Sequence, residues 1–169
     1  MKKFAMAAAT AALLLSVSTG ALAATGLGSV TSMSGSAATA DKAGSVTVNT
    51  TMCALELDDE GKIVSVSFDI AQNKIGFDAT GELTTDLAAE HPTKKELKEG
   101  YGMKAASGIG KEWYEQAEDL ESWCVGKTVA EVVGMPTYDK GDGHHTQVPD
   151  DVDLKSGCTI DVGSFLAAI

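Results

Sequence analysis

Near the C-terminus the sequence reads Asp153-Leu154-Lys155-Ser156-Gly157-Cys158-Thr159, which gathers a carboxylate, two hydroxyls, an ammonium and a glycine within seven residues. Strand alternation would set Cys158, Ile160 and Val162 on one face and Thr159 and Asp161 on the other. In that reading the apolar neighbours anchor the segment and Thr159 stays accessible, a hydroxyl that another enzyme can reach. Gly157 has no Cβ, so the backbone there can approach another group closely. The plainer alternative is that Ser156 to Thr159 form a turn leading into an edge strand, with no chemistry attached.

The other candidate groups are weaker. Asp139, Asp142, His144 and His145 lie in one polar loop, but adjacent histidines point apart unless the loop bends them, so a metal site lacks an evident scaffold. The acidic turn at 58–61 lacks the further oxygen ligands of a calcium loop. Gly110-Lys111 resembles a phosphate loop in two residues only, since position 105 is Ala105 and position 112 is Glu112. As a glycine-rich lead into a helix, that segment could still border a ligand, because helix N-termini attract anions. Gly26 and Gly28 lack the rest of a dinucleotide signature. No Ser-His-Asp or Cys-His set is readable. Cys53, Cys124 and Cys158 are an odd count with no zinc spacing; at most one pair could form, and buried or spare thiols are expected at Cys53 and Cys124.

These residues must be positioned by a chain of 169 residues, enough for one domain. Apolar residues make up 44%, sufficient for a core, yet aromatics only 5%, so Trp113, Trp123, Phe68 and Phe77 must supply much of its bulk. All 13 basic residues are lysines, which removes the bidentate arginine fork for phosphates. Residues 1–23 have the form of a secretory signal: Lys2 and Lys3, an apolar stretch, then Ala21-Leu22-Ala23. They are too short and too rich in alanine and serine to suit a membrane anchor. The net charge of −11 becomes −13 once Lys2 and Lys3 are removed. Such a surface repels nucleic acid and anionic membranes, and suits a secreted, extracytoplasmic protein.

Two copies of Gly-Ser-Val-Thr, at 28–31 and 44–47, suggest two neighbouring strands joined by a small-residue loop. Alternation from Val46 to Ala54 breaks at Leu55, which predicts a bulge near Ala54 or a segment covered on both faces. After the turn at 58–61, Val64, Val66, Phe68 and Ile70 share one strand face, and the two strands form an antiparallel hairpin. Residues 75–83 read as a short strand with a turn at Thr80-Gly81. Thr93 with Glu96, and Thr128 with Glu131, have capping-box spacing; the first helix should stop at Gly100. Trp113, Ala117, Leu120 and Cys124 fall on one helical stripe. The pattern predicts a single α+β domain over 24–169, an antiparallel sheet covered on one face by two or three helices.

The segment Asp153-Leu154-Lys155-Ser156-Gly157-Cys158-Thr159 resembles the flavinylation motif of the FMN-binding domain family, Asp-x-x-Ser/Thr-Gly-Ala-Thr/Ser. That family includes covalent-flavin subunits of NADH–quinone reductases and flavoproteins of extracellular electron transfer. The match covers Asp153, Ser156, Gly157 and Thr159, with Cys158 in place of the usual alanine. The following IDVGSFLAAI resembles the family's continuation into a helix, and the mature chain is similar to secreted proteins of anaerobic gut bacteria. The resemblance implies FMN attached through its phosphate to Thr159 by a flavin transferase, and electron exchange with a membrane or extracellular redox partner. It leaves the phosphate to lean on Lys155 and backbone N–H groups, and the larger Cys158 to crowd the transferase. A secreted, non-enzymatic module of the same fold that has lost the flavin is the alternative. Cleavage after Ala23 is expected, so N-terminal sequencing of secreted material should begin at Ala24.

Overall fold

The computed structural model describes residues 24–169. Three long strands, β1 (Ala24–Ser36), β2 (Gly44–Leu57) and β3 (Ile63–Phe77), form an antiparallel sheet in the order β1-β2-β3. Short helices follow: α1 (Lys94–Leu97) running into a 3-10 turn (Lys98–Tyr101), α2 (Trp113–Cys124) and α3 (Val129–Val133). A two-residue hairpin, β4 (Thr137–Tyr138) with β5 (Val148–Pro149), precedes α4 (Gly163–Ala168). This is the α+β arrangement expected. Among the described residues no helix is long and apolar enough to cross a membrane.

The β2–β3 turn is set locally. The Asp58 carboxylate accepts the N–H groups of Glu60 and Lys62, both at 2.9 Å, and Gly61 takes the left-handed conformation (φ 75°). Asp78 repeats the device for Thr80 and Glu82 at the end of β3, with Gly81 at φ 87°. The bulge expected near Ala54 is absent: β2 pairs in register through Ala54 and Leu55, and Leu55 and Leu57 continue the core-facing parity of Thr51 and Cys53. The irregularity lies at the turn end of the hairpin. Glu56 pairs with Ser65 and Leu57 with Ile63, leaving Val64 without a partner. The extra residue flips parity, so Ile63 enters the core and Val64 stays exposed.

One sheet face carries Cys53, Thr51, Phe68 and Ile70, all buried. Against it α2 lays Trp113, Ala117, Leu120 and Cys124, the stripe read from the sequence, every member buried. Phe165 of α4 completes the layer, its ring centroid 4.9 Å from Phe68 and 5.9 Å from Trp113. The last turn of α4 rests on β1 so closely that a Cβ at Gly28 would collide with the Ala168 carbonyl. Both threonine capping boxes are present. The first helix stops earlier than expected, at Leu97, because Lys98 turns to positive φ and the chain continues as a 3-10 turn closed by Gly102.

Residues 158–162 are not a strand. The turn before them sends the N–H groups of Gly157 and Cys158 to the Leu154 carbonyl, while Thr159 N–H goes to a side chain and Val162 N–H to the Gln147 carbonyl. No sheet edge lies along the segment, yet the alternation survives as burial: Cys158, Ile160 and Val162 are buried, Thr159 and Asp161 half-buried.

Trp113 touches both Phe165 and Tyr101 from within this layer. Trp113→Ala should cost about 3–5 kcal/mol in unfolding free energy, measured by denaturant titration.

Candidate functional site

The site is built around Gln116, a fully buried side chain one turn into α2. A buried amide must use its donors and acceptors within the protein. Gln116 Oε1 accepts Thr159 N–H at 2.8 Å and the Thr159 hydroxyl at 3.2 Å. Its Nε2 donates to Ser107 Oγ at 3.1 Å and to the Lys111 carbonyl at 3.3 Å. The glycine-rich segment 107–111 is thereby brought beside Thr159. Its helix end is not an anion site, however. Glu112 is buried there and accepts the N–H groups of Met103 and Lys104, and Glu115 accepts Glu112 N–H. Carboxylates already satisfy that end.

Gly157 faces Asp119: a Cβ on it would lie 2.8 Å from the carboxylate oxygen Oδ2. Asp119 itself is paired with Lys111. The close approach expected of Gly157 is thus made to an α2 side chain. Asp153 and Ser156 are exposed on the preceding turn. The carboxylate that shapes that turn is Asp151, which accepts Asp153 N–H at 3.0 Å and the Trp123 indole N–H at 3.1 Å.

Lys155 is not the cation at Thr159; it pairs with Asp150 at 3.2 Å in solvent. Lys140, nineteen positions earlier, donates to the Thr159 carbonyl at 2.8 Å. Lys140 lies in the loop between β4 and β5, and only the hairpin brings it there, so nothing in the local sequence pattern around Thr159 signals it. Cys158 points into the core and is fully buried. It fills interior volume and does not crowd the surface around Thr159.

Ile160 and Asp161 open on a groove of about 380 Å³ floored by Thr51, Ile70 and Trp113. Tyr101 forms a wall, and Lys94 Nζ lies 4.9 Å from its ring centroid and 5.2 Å from that of Trp113. Ser32, Asn49 and Ser164 add polar groups. Asp161 is fixed by the N–H groups of Thr146 and Gln147, at 2.8 and 2.9 Å. His144 and His145 form the groove's outer rim. Asp142 organises them, accepting both backbone N–H groups and meeting His145 Nδ1 at 2.6 Å. Those bonds hold the Asp142 carboxyl well below the usual range. Among the described residues no group of three His, Cys, Asp or Glu side chains is placed to hold a metal ion.

No family model matches this chain. No solved structure matches it. Among curated proteins, it is similar to a chlorophenol reductase of Desulfitobacterium hafniense, 38% identical over 96 residues. That alignment covers 50% of this chain and 29% of the reductase, so the chain spans under a third of that relative's length.

Cys53, Cys124 and Cys158 are free and buried. Burial pushes each thiol up to about 12 from an ordinary value of 9.0, with Glu121 adding to the rise at Cys53. Neutral thiols are poor nucleophiles. The folded protein should therefore resist alkylation until denaturant is added, and its melting curves with and without reductant should coincide. From pH 9 upward the unfolded chain releases thiol protons that the fold retains, so stability should fall progressively toward pH 12.

Proposed function

We infer that this is an exported FMN-binding-like domain, with flavin held through a phosphoester to Thr159 Oγ1, serving electron transfer outside the cytoplasm. The observation that carries the reading is the position of Thr159. Half-buried Thr159 closes the Asp-x-x-Ser-Gly-x-Thr pattern with its carbonyl held by the Lys140 ammonium, and the next two residues line an aromatic-walled groove.

The residues present fit such a group. Lys140, bonded to the Thr159 carbonyl, is the cation that would face a phosphate on this residue, and the covalent link spares the site the arginines it lacks. Esterification removes the Thr159 hydroxyl proton, yet Gln116 Oε1 keeps the Thr159 N–H as a donor. The groove provides apolar surface at Ile160 and Trp113 and aromatic surface at Tyr101 for a planar ring. The flavin, when bound, supplies the redox chemistry. The chain's own residues orient it: Gln116 fixes the Thr159 backbone, and Asp119 over Gly157 fixes the turn before it. Partial likeness to a reductase agrees with an electron-transfer role. A flavin transferase is the modifying partner, and a membrane or extracellular redox protein exchanges the electrons.

One observation favours a second reading, a secreted non-enzymatic module that has kept the fold and lost the flavin. The Thr159 hydroxyl is already engaged by a fully buried amide. Intact mass of the protein, with and without a co-expressed flavin transferase, separates the two. Under the first reading the mass rises by one FMN and flavin fluorescence survives denaturation. Thr159→Val keeps the β-branched shape and should abolish labelling while leaving the fold intact. Cys158→Ala, a change in the core, should lower stability by about 1–2 kcal/mol without altering the labelling yield. An unlabelled wild type in the presence of the transferase selects the second reading.

A further inference from the structure

Strand β1 is an open edge of unusual composition. From Ala24 to Ala40 the sequence has no charged residue and no proline. Natural edge strands are normally blunted by charge, proline, a bulge or a covering element. Here all 13 residues pair with β2 in unbroken register, and among the described residues nothing bonds to the outer side. Alternate residues along β1 therefore direct their N–H and C=O groups outward. On β1 itself two large apolar side chains stand exposed on the sheet face that the helices leave uncovered: Leu27, 74% exposed, and Met33, 56% exposed.

We propose that β1 pairs antiparallel with β1 of a second copy about a two-fold axis at Val30, joining two three-stranded sheets into one of six strands. Charge points to a second copy in that direction. The chain is strongly acidic, so two copies repel each other unless they meet through an uncharged strip. The end of the sheet beside Ala24 carries Glu56, Asp58, Asp59 and Glu60 with Lys62, while the end beyond Ser36 carries Asp41, Asp78 and Glu82 with Lys42 and Lys74. Parallel pairing would stack the more acidic ends on each other. Antiparallel pairing separates them by the strand length, about 40 Å, which is several screening lengths in physiological salt.

The register follows from the side chains. With Val30 on the axis, Leu27 of each copy falls opposite Met33 of the other, so both exposed apolar residues gain an apolar cross-strand partner twice over. Opposed residues have the same parity in this register, so outward-facing N–H and C=O groups meet their counterparts. The interface is self-complementary and closed, and it consumes both open edges.

The test is the molar mass of the purified protein, expressed from the full chain, measured against concentration by sedimentation equilibrium. Wild type should rise to twice the monomer mass. Leu27→Lys and Met33→Glu should each return it to the monomer value, with unchanged circular dichroism and melting because both positions are exposed. The double variant should regain the dimer mass, since each Lys at 27 then meets a Glu at 33 of the second copy. A wild type that stays monomeric at the highest concentration reached overturns the proposal. So do single variants that remain dimeric, and so does a double variant no more associated than the single ones.

Discussion

Gln116 is a polar side chain in a place where polarity is costly. An unsatisfied amide in a core costs about 1–3 kcal/mol per lost partner. Its four hydrogen bonds tie α2 to the loop at 107–111 and to the chain at Thr159, reinforcing the Lys111–Asp119 pair and the close approach of Gly157 to Asp119. Because the amide is fully buried, none of those segments can move away without leaving it unpaired. The position of Thr159 is thus fixed from beneath, by the same helix whose apolar stripe builds the core. Site and core share one scaffold, and α2 belongs to both.

Much of the fold was legible because it is local. The two threonine capping boxes, the Asp58 turn and the helical stripe from Trp113 to Cys124 each depend on spacings of two to eleven residues, and each is present. The features that escaped depend on distant partners. The pattern change at Leu55 suggested a bulge, but the core face of β2 is the one carrying Thr51, Cys53, Leu55 and Leu57, and only the pairing shows an extra residue, Val64 on β3. The pattern at 158–162 has strand periodicity, but a strand needs an edge to bond to, and the nearest acceptors are a side chain and a loop carbonyl. Apolar alternation reports which side chains go inward; it does not report where the backbone bonds go.

The candidate site divides in the same way. Gly157 announced a close approach, and Asp119 is what comes close. Gln116 was hidden inside an amphipathic helix, where a glutamine reads as solvent-facing. Lys140 and Asp151 were hidden among the abundant charges of loops, which carry no periodicity to single one out. With no arginine in the chain, Lys155 is the nearest cation to Thr159 in sequence, but the turn after Asp151 pairs it with Asp150 instead.

The contact between α4 and β1 joins opposite ends of the described chain, with Phe165 sealing the layer between Phe68 and Trp113. Contacts of such long sequence separation form late, because the loop they close has the greatest entropy to lose. Until α4 docks, the apolar face of the sheet has no cover at that end, and Phe68 and Trp113 lack the ring that packs on them. Loosening of α4 alone would therefore open the core from one end while leaving the three-stranded sheet paired.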